Sequence, residues 1–205
     1  MSADIENVPQ RKGNKMRKEI GDTTKKKISI GVEDFKEIID KDGYFVDKTL
    51  MIKELIESNA KVTLFTRPRR FGKTLNQFMI RRFFEDEITE KGEKVDNGYL
   101  FDGLAIAECG EEILKHQQQY PVIFMTLKSA KQPNFEMAYG ALADEIYNEF
   151  MRHRYVLQSD ALLPIEKERY ENLLNRRADE KEVAKAFAFL SECLFKYHKK
   201  KAIIL

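Results

Sequence analysis

Apolar residues occur along the chain in two patterns that alternate. Three short continuous apolar runs cover residues 62–65, 121–127 and 202–205, and runs of this kind are typical of strands that are buried on both faces. Between them, apolar residues recur every three or four positions, as in amphipathic helices. Strands that alternate with helices predict an α/β fold with a parallel sheet.

The longest predicted helix follows the second apolar run. Asn134 is its expected N-cap, because an asparagine side chain can accept a hydrogen bond from an N–H group of the first turn. Its inward face is predicted to carry Phe135, Ala138, Leu142, Ile146 and Phe150. Pro164 is predicted to open the next helix, and a later one has Val183, Phe187, Leu190 and Leu194 in phase.

Residues 61–84 combine an apolar run, a loop that ends in Gly72-Lys73-Thr74, and a helical pattern. This order is the context of a phosphate-binding P-loop. Gly72 would let the backbone approach the phosphates, Lys73 would reach the β- and γ-phosphates, and the Thr74 hydroxyl would be a magnesium ligand. The following helix is predicted to bury Leu75, Phe78, Met79 and Phe83.

The pattern alone leaves alternatives open. Arg67 occupies the position of the first glycine in G-x-x-x-x-G-K-[ST], so a tight strand-to-helix turn with solvated charges is the other interpretation. Asp47 is most simply the cap of a helix that includes Ile52 and Leu55. The alternative for Asp47 is a site residue near a nucleotide base.

Composition narrows the class of protein. The 205 residues are 42% hydrophobic with a net charge of +2, which gives no global electrostatic argument for nucleic acid. Two cysteines without metal-type spacing fit a reducing cytoplasm, and no apolar stretch approaches the roughly 20 residues of a membrane helix.

Residues 1–27 are predicted to be a disordered basic tail, the alternative being a nucleic-acid-binding arm or an import signal. The charged residues 85–97 are expected to leave the core.

Residues 67–74, Arg67-Pro68-Arg69-Arg70-Phe71-Gly72-Lys73-Thr74, resemble the RPRRFGK[ST] signature of the AAA-ATPase-like family of predicted bacterial P-loop ATPases. Arginine in the first glycine position is the norm in that family. Residues 44–49 resemble its YVDKT element, and residues 100–104 and 120–124 lie where similar family segments would. The likeness extends over residues 28–205.

The resemblance implies a P-loop NTPase-type domain with three α/β/α layers. ATP and Mg²⁺ would be its cofactors, with Thr74 as the metal ligand, and the nucleotide would be bound by Arg67, Arg69, Arg70, Phe71, Gly72, Lys73, Thr74 and Leu75. Many family members also carry a C-terminal PD-(D/E)XK nuclease-like domain, which makes nucleic acid a partner by resemblance only. A candidate from another class is a nucleic-acid-binding module that uses residues 67–70 and the basic tail without nucleotide chemistry.

Residues 202–205 resemble the start of a Walker B strand, and they stop where its acidic residue is expected. Residues 28–205 are therefore expected to be the N-terminal part of the domain, with hydrolysis only in the complete protein. In such folds another strand separates the P-loop strand from the Walker B strand. Its absence predicts a gap in the sheet that leaves backbone groups and apolar surface exposed.

Overall fold

The computed structural model describes residues 26–68 and 70–205. The described chain combines helices with a small parallel sheet, as expected for the α/β class, and the three-layer P-loop architecture stays a prediction. In chain order the elements are α1 (Phe35–Asp40), α2 (Leu50–Ser58), α3 (Lys73–Phe84), α4 (Glu111–Leu114), β1 (Val122–Ile123), α5 (Phe135–Arg152), α6 (Pro164–Leu174), α7 (Glu180–Ala184), α8 (Ala186–His198) and β2 (Ile203–Ile204). Residues 1–25 of the predicted tail lie outside the described residues.

The sheet forms from the second and third apolar runs. β1 and β2 pair in parallel, with Val122 opposite Ile203 and Ile123 opposite Ile204. Their connection passes through α5–α8, since parallel strands need a crossover. A hydrogen bond of 3.0 Å from Met125 N to the Leu205 carbonyl continues the pairing. Both runs were predicted as strands, which the structure confirms for these short ladders.

Each face of the sheet carries its own hydrophobic core. Successive strand residues point to opposite faces, and accordingly Val122 packs into one cluster and Ile123 into the other. The first cluster is built by residues of α1, α2 and α3 together with residues 100–113, and the second by α5, α6 and α8. In the second, the rings of Phe150 and Tyr170 lie 4.7 Å apart, and the Tyr170 hydroxyl donates to the Phe150 carbonyl at 2.8 Å.

The helix predictions hold with two corrections. Asn134 does cap α5, because its side chain accepts from Met137 N at 2.9 Å, and Pro164 is the first residue of α6. Phe135, however, is 81% exposed. It is the first residue of α5, and the helix packs into the core only further along, at Ile146 and Phe150. The last predicted helix is divided into α7 and α8, which meet at Lys185.

The prediction that residues 62–65 form a buried strand is wrong. The segment makes no ladder, and the side chains of Val62 and Leu64 are 87% and 83% exposed. A strand needs a neighbour to satisfy its backbone groups, and the described part of the chain offers a sheet of β1 and β2 alone. The backbone of this segment is therefore unpaired and its apolar side chains are exposed, whereas the gap in the sheet stays a prediction.

The expectation that residues 85–97 leave the core is wrong at both ends, since Asn97 is 1% exposed and Glu85 is 2% exposed. Glu85 needs the fuller explanation, because it carries a charge. Its burial is explained by two guanidinium groups. Nε of Arg81 donates to one carboxylate oxygen at 2.7 Å, and Arg152 of α5 donates to the other. Arg152 also donates to Glu149 at 2.7 Å, so one arginine neutralises two buried carboxylates.

The same charged cluster covers the outer edge of β1. Phe124 N donates to the Glu149 carboxylate at 3.0 Å, while the Val122 carbonyl accepts from Arg152 and, at 3.1 Å, from Nε2 of His153. Burial works against the charged form of Glu149, but its contacts with His153 and Arg152 outweigh that effect and lower its pKa to about 2. Side chains therefore satisfy backbone groups that another strand would otherwise occupy.

Removing Arg152 should destabilise the fold strongly, because Glu85 and Glu149 would keep their burial and lose their shared cation. We expect Arg152→Met to lower the free energy of unfolding by about 3–5 kcal/mol. The matched control is Arg176→Met, since the Arg176–Asp144 pair lies at 2.7 Å with side chains 63% and 54% exposed. That variant should cost less than about 1 kcal/mol. Urea unfolding measures both, and equal losses would contradict the assigned role of Arg152.

Stability should also fall in acid because of Glu149. Its pKa is about 2 in the folded chain against an ordinary value of 4.5, so the stabilisation is complete above pH 4.5 and is lost as the pH falls toward 2. Between pH 5 and pH 3 this one group should remove about 2 kcal/mol from the free energy of unfolding. Urea unfolding of the wild type and of Glu149→Gln across this range tests it. An equally steep pH dependence in both proteins would contradict the assignment.

Candidate functional site

The loop that precedes α3 contains two residues with left-handed backbone geometry. Arg70 has a φ of 68° and Gly72 a φ of 72°. Gly72 is the N-cap of α3, and its carbonyl accepts the first helical hydrogen bond from Asn76 N at 2.9 Å. An added Cβ at Gly72 would have nothing within 4 Å. Conformation, and not space, therefore explains why glycine suits this position.

Lys73 begins α3 and turns its ammonium back over the loop. Nζ donates to the carbonyl of Arg67 at 2.5 Å and to that of Pro68 at 3.2 Å. The N–H groups of the first helical turn have no partner within the helix, and the helix dipole adds partial positive charge there. Together with the lysine, this geometry favours an anion at the start of α3.

A cavity of about 1150 Å³ opens beside this helix start. That volume is comparable to or slightly above the roughly 300–1,000 Å³ of ordinary small-molecule pockets. Its apolar wall includes the side chains of Met51, Phe65, Phe71, Phe78 and Phe124. Its polar wall includes Lys48, Arg67, Lys73, Thr74, Asn76 and Gln77. The cavity therefore combines an aromatic and aliphatic side with a cationic one.

The structure brings together half of the predicted site residues. Arg67, Phe71, Lys73 and Thr74 line the cavity, and Gly72 shapes the turn at its edge. Arg70 is exposed in the loop, and Leu75 packs instead against the hydrophobic cluster on the α3 side of the sheet. Arg69 lies outside the described residues.

Cations outnumber carboxylates on the cavity wall. Glu33 is already paired with Lys128, at 2.6 Å between Nζ and Oε2. Glu54 is then the other carboxylate among the described lining residues, which also include Lys48, Arg67 and Lys73. This balance favours a ligand with several negative charges.

Asp47 has a structural role. One oxygen of its carboxylate accepts from Thr49 N at 2.8 Å and from the Thr49 hydroxyl at 2.7 Å, and the other accepts from Ala105 N at 2.7 Å. Partial burial opposes ionisation, but the hydrogen bonds from Ala105 and Thr49 lower the pKa of Asp47. The side chain thus fixes the chain just before α2. It is not the predicted helix cap, because Thr49 occupies the N-cap position and α2 has no side-chain cap hydrogen bond.

The cavity also contains residues that the sequence did not single out as site residues. Lys48 lies between Asp47 and Thr49, and Glu33 and Glu54 come from the loop before α1 and from α2. A signal for Lys48 was present in the sequence, since it belongs to the segment resembling YVDKT. Only the fold shows that this segment faces the same cavity as Gly72-Lys73-Thr74.

The parallel sheet and the anion-suited start of α3 define an α/β protein with a P-loop-like turn. A family model described as predicted AAA-ATPase matches residues 29–205. Because the match covers most of the sequence, the chain belongs to the AAA-ATPase-like family. No curated protein and no solved structure gives a significant match. Within residues 26–68 and 70–205, no helix is both long and apolar enough to cross a membrane.

The left-handed backbone at Gly72 predicts a contrast between two glycines. Gly72→Ala should lower the free energy of unfolding by about 1–2 kcal/mol, because a Cβ penalises that conformation. Gly140 lies within α5 and also has nothing within 4 Å of an added Cβ, so Gly140→Ala should instead stabilise by about 0.5–1 kcal/mol. Thermal or urea unfolding compares the two. Equal shifts would argue against the turn geometry.

Proposed function

We propose that this chain binds ATP together with Mg²⁺ at the N-terminus of α3. The observation that carries the proposal is the combination of the left-handed Gly72, the Lys73 ammonium and the Thr74 hydroxyl at one helix start beside a cationic cavity. Membership in a family of predicted AAA-ATPases supports a nucleotide as the anion. The apolar side of the cavity suits the base and sugar better than it would suit a free inorganic anion.

Each residue then has a chemical task. Lys73 would exchange the carbonyl oxygens of Arg67 and Pro68 for phosphate oxygens, which form stronger, charge-assisted hydrogen bonds. Thr74 would supply one oxygen ligand to Mg²⁺. The described residues contain no group of three or more His, Cys, Asp or Glu side chains placed to hold a metal, so the ion would depend on the phosphates. When bound, it would neutralise their negative charge.

Hydrolysis is a separate proposal, because it also requires a group that orients the attacking water. The carboxylates on the cavity wall in the described chain are Glu33 and Glu54, and Glu33 is engaged by Lys128. We therefore propose nucleotide binding for these residues and hydrolysis only for a protein that supplies such an acid. A nucleic-acid partner through a nuclease-like domain rests on the resemblance alone.

Replacing Lys73 should weaken nucleotide binding. Charge-assisted hydrogen bonds are worth about 1.5–3 kcal/mol each, so Lys73→Ala should raise the Kd for Mg-ATP by at least about tenfold. Lys53→Ala is the matched control, since Lys53 lies on α2, is 41% exposed and has Glu57 as its ion-pair partner at 3.8 Å. Calorimetric titration of the three proteins measures the effect.

Equal affinity of the wild type and Lys73→Ala would contradict the proposed site. Salt dependence separates it from the nucleic-acid-binding alternative. Binding to a phosphate backbone should weaken steeply as salt is added, whereas binding at this site should require Mg²⁺ and Lys73.

A further inference from the structure

We propose that Lys48 is a second cation for the phosphates of the bound nucleotide, in the cavity that Lys73 also lines. The inference rests on the proposed function and deepens it, because it assigns recognition of the polyphosphate to a second element of the fold. Lys48 and Met51 reach the cavity from the start of α2, whereas Lys73 and Thr74 reach it from the start of α3.

The backbone on both sides of Lys48 is fixed. Asp47 accepts hydrogen bonds from Thr49 and from Ala105 N, and the Thr49 hydroxyl accepts from Ile106 N at 3.1 Å. Thr49 itself is completely buried. With its two neighbours tied to residues 105 and 106, Lys48 is held on the cavity side. A side chain with a fixed base loses less freedom when it binds a ligand than one on a loose loop.

The charge of Lys48 is also uncommitted. Other lysines of this region have carboxylate partners: Lys53 lies 3.8 Å from Glu57, and Lys128 lies 2.6 Å from Glu33. Within residues 26–68 and 70–205, no carboxylate lies within ion-pair distance of the Lys48 ammonium. The Lys48 ammonium is therefore available to a ligand anion in the cavity that Lys73 also lines.

Two lysines on separate segments, Lys48 before α2 and Lys73 at the start of α3, make the affinity depend on the number of phosphates. Each ammonium acts as a point charge that favours a more highly charged ligand. A neutral or singly charged ligand would gain little from the second cation. The expected order of affinity is therefore Mg-ATP, then Mg-ADP, then AMP, with the part due to Lys48 largest for ATP.

The test is calorimetric titration of the full 205-residue chain with Mg-ATP, Mg-ADP and AMP. Lys48→Gln should raise the Kd for Mg-ATP about tenfold, raise that for Mg-ADP less, and leave AMP unchanged. Lys48→Arg should restore most of the ATP affinity, because it restores the charge. Lys53→Gln, on the helix that follows Lys48, is the control and should leave all three affinities unchanged. Thermal unfolding of each variant shows whether the fold is intact.

The outcomes separate this inference from the proposed function. If Lys73→Ala weakens Mg-ATP binding and Lys48→Gln does not, the role of Lys48 is overturned and the proposed function stands. An equal loss for all three nucleotides, or a loss that Lys48→Arg does not restore, would mean a structural role and would overturn it too. Absence of Mg-ATP binding by a folded wild type would overturn the proposed function, and the role of Lys48 with it.

Discussion

The contact of Arg152 with two buried carboxylates is the interaction on which the arrangement of the other elements depends. It joins Glu85, at the end of α3, to Glu149 on α5 and to the backbone of β1. Buried ions are costly unless their charges are balanced, and this cluster balances them by sharing one guanidinium, with Arg81 as the second cation on Glu85. Because α3 starts at the candidate site and ends in this cluster, the position of the site relative to the sheet is set at the far end of its helix.

The two ends of α3 are therefore built for different tasks. Its middle and C-terminal part bury Met79, Ile80, Phe83 and Phe84 in the core, and Glu85 follows in the charged cluster. Its first turn faces an open cavity, where Gly72 needs a left-handed backbone and Lys73 donates to the loop carbonyls of Arg67 and Pro68. Packing energy from the buried end stabilises an N-terminus that is itself poor in contacts, as is usual where binding residues are positioned by a rigid scaffold.

Local patterns predicted the parts of this structure that local interactions determine. The start of α3, the Asn134 cap of α5 and Pro164 at the start of α6 follow from the sequence because caps and helical periodicity need only neighbouring residues. Burial of Glu85 was missed because its partner Arg152 lies 67 positions away. The strand predicted at residues 62–65 failed for a related reason, since apolar character does not supply a neighbouring strand. At the candidate site, the Gly72-Lys73-Thr74 turn was predictable, whereas Lys48 needed the fold to bring the segment before α2 to the same cavity as the start of α3.

The two edges of the sheet are unequal, and this difference follows from the same charged cluster. At β1, Glu149, Arg152 and His153 occupy backbone groups that an added strand would need. At β2, the ladder uses the groups of Ile203 and Leu205 that face β1, so those of Ile204 point away from it, and its side chain is 65% exposed. Exposed apolar edges favour association with other strands. The unpaired residues 62–65 add exposed apolar surface directly before the P-loop-like turn. We therefore expect association with other chains to occur at β2 or at residues 62–65, and not at the protected edge of β1. Association at residues 62–65 would disturb the candidate site.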